Sequence, residues 1–126
     1  MEGFDFVYRE RVRFRDVDGM GHVNNAVFLT YLEEARIAYL LRLDAKVSEM
    51  ILARAEIDFR APLRSGDELE IGVRPVSVGT KSFQLEYVVR SGDTVAAEAK
   101  TVIVSYDYET GRSVELPETW KEALAA

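Results

Sequence analysis

The sequence predicts an α+β fold: one long helix packed against a five-stranded antiparallel sheet. Three observations carry this. A single strand-like stretch is followed by a run of strong helix formers over residues 26–43. Four stretches of period-two alternation come next, separated by short turn signals. The apolar stripe of the helix is too broad for a helix lying on a surface, so a strongly curved sheet has to wrap it.

The elements follow in order. Residues 7–15 place Val12 and Phe14 at alternate positions among arginines, a strand with one wet face. The Asp-Gly-Met-Gly segment breaks it. Asn24 or Asn25 caps the helix, which runs to about Leu43. Val27, Tyr31, Ala35 and Ala38 share a face, and Phe28, Leu32 and Tyr39 widen it. After residues 44–48 the period becomes two, with Ile51, Ala53, Ala55, Ile57 and Phe59 on one side. Ala61-Pro62 ends that strand, and Ser65-Gly66-Asp67 turns into Leu69, Ile71 and Val73. Val78-Gly79-Thr80-Lys81 leads to Phe83, Leu85, Tyr87 and Val89, and Ser91-Gly92-Asp93 is a hairpin signal. The last long strand covers about residues 94–108, after which Thr110-Gly111-Arg112 turns. Pro117 opens a short helix holding Trp120 and Leu124. Hairpins make the last four strands antiparallel, and uncovered sheet edges imply at least a homodimer.

With 126 residues the chain is read as one domain, residues 1–126. It has no cysteine, which excludes a disulfide scaffold, a thiolate nucleophile and a cysteine metal cage. A formal net charge of −6 argues against general nucleic-acid binding. No stretch reads as a signal peptide or a membrane span, so a cytoplasmic protein is expected.

The densest chemistry lies in FRDVDGMGHVNN, residues 14–25. It puts Asp16, Asp18, the single histidine His22, Asn24 and Asn25 at a strand-to-helix junction. A helix start offers unpaired N–H groups and a positive dipole end, which hold a carbonyl oxygen or an anion without side-chain charge. A carboxylate a few residues away completes a base-and-electrophile pair.

The segment DVDGMGHVNNAVFLTYLEEAR, residues 16–36, resembles the signature of hotdog-fold acyl-CoA thioesterases of the 4-hydroxybenzoyl-CoA thioesterase-like family. IDFRAPLRSGDELEI, residues 57–71, is similar to that family's second strand and turn. The resemblance implies a hotdog fold, a curved five-stranded sheet around one central helix. It implies hydrolysis of an acyl-CoA thioester and a homotetramer built from dimers with shared active sites. The family's carboxylate falls on Asp18, and its carbonyl-polarising N–H falls on Asn25, with Asn24 and Val23 as neighbours. The His22 position differs between family branches.

Asp18 can attack directly or act as general base on water. The structural alternative is an aspartate that merely closes an Asp-Gly turn. Asp16 reads as turn-holding, His22 as pocket-lining and Asn24 as a cap. Glu33 and Arg36 read as an ion pair, and Phe28 and Tyr31 as core or acyl-pocket lining. Arg60, Arg64, Lys81 and Arg90 are candidates for coenzyme A phosphates. No metal or cofactor is expected, because the Asp16, Asp18 and His22 spacing matches no strong ligand pattern. Two rivals share the fold: a non-catalytic acyl-CoA binding module, and a 2-enoyl-thioester hydratase relying on His22.

Overall fold

A computed structural model of the chain describes residues 1, 3–43 and 49–125. Residues 44–48, after which the period is expected to change, lie outside the described residues; the strand expected from Ile51 is present. Among those described, strand β1 spans Phe6–Arg11, a 3-10 turn spans Phe14–Asp16, and helix α1 spans Asn25–Leu41. Strands β2 (Met50–Phe59), β3 (Glu68–Val78), β4 (Ser82–Ser91), β5 (Thr94–Asp107) and β6 (Arg112–Ser113) follow, and helix α2 (Glu118–Ala125) closes the series. Among the described residues no helix is long and apolar enough to cross a membrane.

The long strands lie in the order β1-β3-β4-β5-β2, every neighbour antiparallel, with β6 paired to β5. The arrangement is the hotdog one: a sheet curved around α1. Its concave face presents Leu69, Ile71 and Val73 from β3, Phe83, Leu85 and Tyr87 from β4, and Ala97, Ala99 and Ile103 from β5. Phe28, Leu32, Ala35, Tyr39 and Leu40 of α1 meet them. Each fully buried large side chain there contributes about 1.5–3 kcal/mol relative to exposure. At the far end, Trp120 of α2 is buried and stacks on Phe83 with ring centroids 6.3 Å apart.

Three expectations are corrected. The sheet has six strands, because Tyr106 and Asp107 pair with Ser113 and Arg112 across a turn. A two-residue strand is too short to display a period. The first strand ends at Arg11, and Phe14 sits in the 3-10 turn, 83% exposed. Alternation alone does not separate a strand from the turn after it. Most consequentially, β2 and β3 form no hairpin. Phe59 pairs with Ala97 of β5 and Glu68 with Arg11 of β1, so residues 60–67 carry the chain from one sheet edge toward the other. Turn residues mark where a chain bends, not which strand it joins next. That crossing passes the start of α1 and supplies one wall of the site.

β2 is left at the sheet edge. Leu52 and Phe59 are 43% and 45% exposed, and Leu29, Ile37 and Leu41 present an apolar face on α1.

Candidate functional site

Three backbone segments converge at the start of α1. Val17 and Val23 form an antiparallel bridge, and the Asp18 N–H donates to the His22 carbonyl at 2.8 Å. The loop between them closes through the Gly21 N–H to the Asp18 carbonyl, 3.1 Å, with Gly21 at φ +81°, which only glycine adopts without strain. Val23 is bound in turn to the crossing segment, its N–H donating to the Leu63 carbonyl at 2.8 Å. These ties enclose an open pocket of about 330 Å³ lined by Asp18, His22, Val23, Asn25, Phe28 and residues 59–62.

The Asp18 carboxylate closes its own turn. Its Oδ1 accepts from the Met20 N–H at 2.8 Å and, weakly, from the His22 N–H at 3.4 Å. Both bonds use Oδ1, which leaves the orientation fixed and Oδ2 outside the turn. The turn-forming and reactive readings of Asp18 therefore coexist in one side chain.

An account of the amides at the helix start narrows the electrophile. The Val23 N–H is taken by Leu63, and the Asn24 N–H donates to the Asp16 carbonyl at 3.1 Å. Asn24 is the N-cap: its Oδ1 accepts from the Ala26 N–H at 2.9 Å, and its carbonyl accepts from the Val27 N–H at 2.9 Å. The Asn25 N–H has no acceptor among the described residues, and Asn25 lines the pocket. One donor is left bare where the helix dipole is positive.

Phe28 and Phe59 form the apolar wall, edge to face at 5.1 Å and 84°. Sequence reasoning offered Phe28 as core or pocket, and it is both: 3% exposed and in the lining. It missed Phe59, Ala61 and Pro62 as site residues. The usable signal was an aromatic at the last position of a strand that Ala-Pro terminates, but it has meaning only once the crossing is known.

The remaining candidates divide. His22 and Arg60 reach the pocket. Arg60 also pairs with Glu98 at 3.4 Å and Asp58 at 3.8 Å, both pairs largely exposed and so weak. Arg64 is exposed two residues beyond the lining, in a turn where its N–H donates to Asp67 Oδ2 at 2.9 Å. Lys81 lies in the β3–β4 hairpin. The eleven residues of β3 put it about 33 Å from the end of the sheet that holds Asp18. One chain does not bring the two together. Arg90 donates to Glu70 Oε1 at 2.9 Å. Arg36 is buried and stands 3.9 Å from the exposed Glu33.

Beneath the loop, Asp16 Oδ2 accepts from the Arg13 N–H at 3.0 Å and the Tyr31 hydroxyl at 2.7 Å. Burial, then the bond to Asp16, pushes the Tyr31 hydroxyl far above its ordinary pKa, so it stays a donor. Nearby, Glu10 and Glu34 hydrogen-bond each other. That bond raises Glu34, helped by burial, and lowers Glu10. Among the described residues no cluster of three or more His, Asp or Glu side chains is placed to hold a metal ion.

Comparison with known proteins bears on this geometry. The profile of the thioesterase-like superfamily matches residues 12–124. A thioesterase from Thermus thermophilus, solved with coenzyme A and Zn, is 42% identical, with TM-score 0.91 over 98% of this chain and 94% of its own. A 1,4-dihydroxy-2-naphthoyl-CoA thioesterase from Synechocystis is 27% identical, with TM-score 0.84 over 95% of each chain. The 1,4-dihydroxy-2-naphthoyl-CoA hydrolase of Nostoc punctiforme is 30% identical over 90% of this chain and 82% of its own.

Proposed function

Because the chain belongs to the thioesterase-like superfamily, we propose that it hydrolyses an acyl-CoA thioester to the free acid and coenzyme A at the pocket beside Asp18. The observation that carries this is the bare Asn25 amide sharing a pocket with the Asp18 carboxylate. The thioester carbonyl oxygen accepts from the Asn25 N–H. As the carbonyl carbon becomes tetrahedral, negative charge grows on that oxygen, and one such donor is worth about 3 kcal/mol. Asp18 Oδ2 supplies the oxygen chemistry, either drawing a proton from an attacking water or attacking as nucleophile. Collapse breaks the C–S bond and coenzyme A leaves as a thiolate. In the general-base route it takes up the proton that Asp18 drew from water. In the nucleophilic route a water then hydrolyses the acyl–Asp18 anhydride, which releases the acid, restores the carboxylate and supplies the proton for the thiolate.

The other residues bind. His22 and Val23 line the acyl site, Asn24 sets the helix start, and Arg60 and Arg64 offer guanidinium forks to the phosphates of coenzyme A. Lys81 belongs to this reading only as the contribution of a second copy. The Phe28–Phe59 ring pair suits a flat aromatic acyl group, the class carried in the names of two of the relatives. The partner is a second copy of this chain, joined along the open β2 edge and the apolar face of α1, and the reaction belongs in the cytoplasm.

The test is thiol release. The wild type liberates coenzyme A from an aromatic acyl-CoA, and Asp18→Asn, which keeps the Oδ1 turn bonds, is slowed at least about 100-fold. Near-native release by Asp18→Asn on every accepted acyl-CoA overturns the reading. Binding without thiol release would indicate the binding module, and enoyl hydration lost in a His22 variant would indicate the hydratase.

A further inference from the structure

Tyr31 is 3% exposed and lies on the buried face of α1, where its neighbour in the ring cluster, Phe28, has no hydroxyl. A buried hydroxyl must find a partner, and this one donates to Asp16 Oδ2 at 2.7 Å across fifteen residues of sequence. The same Oδ2 accepts from the Arg13 N–H at 3.0 Å, and the Asp16 backbone is tied into the site as well. Its N–H donates to the Arg13 carbonyl at 2.9 Å, and its carbonyl accepts from the Asn24 N–H at 3.1 Å. The residue after it, Val17, bridges Val23 and immediately precedes Asp18.

The peptide plane settles what this does. The Asn25 N–H and the Asn24 carbonyl belong to one rigid amide. The Val27 N–H holds the carbonyl side of that amide, and Asp16 holds Asn24 from the other side. Asp16 thus bears on the Asn25 amide through Asn24, whose N–H it holds in the preceding peptide, and on Asp18 through Val17. We infer that Tyr31 is a positioning residue, whose hydroxyl locks Asp16 and through it aims both the Asn25 amide and the Asp18 carboxylate at the thioester carbonyl. This rests on the hydrolytic reading of the pocket. Glu10 and Glu34, close enough to perturb Tyr31, make no bond to Asp16 among those described.

The test compares Tyr31→Phe, Asp16→Ala, Asp16→Asn and the Tyr31→Phe/Asp16→Ala double variant. Tyr31→Phe lowers kcat about tenfold with KM within about twofold, because misaiming affects the transition state more than binding. Asp16→Asn, which keeps an acceptor for the hydroxyl, retains most of the turnover. The double variant is no slower than Asp16→Ala alone, because Asp16→Ala already removes the tie that Tyr31→Phe cuts, together with the Arg13 N–H bond. A second readout uses the ketone analogue of an aromatic acyl-CoA, with a methylene in place of sulfur and a carbon-13 carbonyl. Its infrared stretch moves to higher frequency in Tyr31→Phe than in the wild type, reporting a weaker bond from Asn25. An unchanged stretch and kcat in Tyr31→Phe, or losses that simply add in the double variant, overturn the inference. If the wild type releases no thiol, the hydrolytic reading itself fails; if wild type is active, Asp18→Asn is not, and Tyr31→Phe is unaffected, only the positioning role falls.

Discussion

Replacing Asn24 by Asp separates stability from turnover. Asp caps helices as well as Asn, so the bond to the Ala26 N–H, 2.9 Å in the wild type, is retained. The added charge faces the positive end of α1 and contributes about 0.3–1 kcal/mol of stability at low salt. The same charge sits near the oxygen that turns negative during thioester hydrolysis. Two hydrogen-bond lengths of about 2.9 Å place the cap oxygen and that oxyanion on the order of 5 Å apart. Coulomb's law gives roughly 0.8 kcal/mol of repulsion in water and roughly 3 kcal/mol at an effective dielectric constant of 20. Asn24 is exposed, so the effect lies toward the lower end, about 1–2 kcal/mol, or roughly 5- to 30-fold in kcat. Thermal unfolding and steady-state thiol release at low and high salt measure the two effects. The expected result is a melting temperature equal to or above wild type with slower turnover that salt partly restores. An unchanged kcat in a stably folded variant would mean that no negative charge develops at the helix start. A lowered melting temperature would refute the capping geometry itself.

Two further outcomes follow from other parts of the molecule. Hydrogen bonding to Glu10, then burial, raises the pKa of Glu34, so its contribution to stability is full below the unfolded glutamate value of about 4.3 and is lost as pH rises through the raised folded value. Glu10, lowered by the same bond, contributes above that value and loses its contribution as pH falls. Tyr8, Arg13 and Asp16 face the pair and are unchanged in Glu34→Gln, which gives Glu10 a permanent donor. Melting curves from about pH 5 to about pH 8 should fall less steeply with rising pH in the variant; parallel curves would refute proton sharing. At the β2 edge, Ile37→Glu combined with Leu52→Glu should convert a wild-type dimer into a monomer by analytical ultracentrifugation, and a variant still dimeric would place the interface elsewhere.

Much of this molecule was legible in its sequence, and what was missed has physical causes. Helix α1 declared itself through Ala, Leu, Glu and Arg and through Asn24, which is the N-cap. The alternation of Phe83, Leu85, Tyr87 and Val89 marked β4, and all four are buried. Those signals are local. Strand pairing is not: β2 alternates like a hairpin partner of β3 yet pairs with β5, because the same residues fit either neighbour. The crossing at residues 60–67 was therefore invisible, and with it Phe59, Ala61 and Pro62 as lining. Similarly, Arg60, Arg64 and Lys81 look equivalent as basic residues near strand ends, and only the topology sends Lys81 to the opposite end. In the helix-start motif, Asp18, His22 and Asn25 line one pocket because one short loop carries them all. What the sequence left open there, which amide is unspent, depends on Asp16 and Leu63 as acceptors from Asn24 and Val23.

The most direct measurement is a crystal structure of Asp18→Asn with an intact aromatic acyl-CoA bound. The account predicts the thioester oxygen at about 2.9 Å from the Asn25 nitrogen, with the side chain at position 18 facing the carbonyl carbon. A thioester whose oxygen points away from Asn25, or which binds outside the pocket bounded by Phe28 and Phe59, would contradict it.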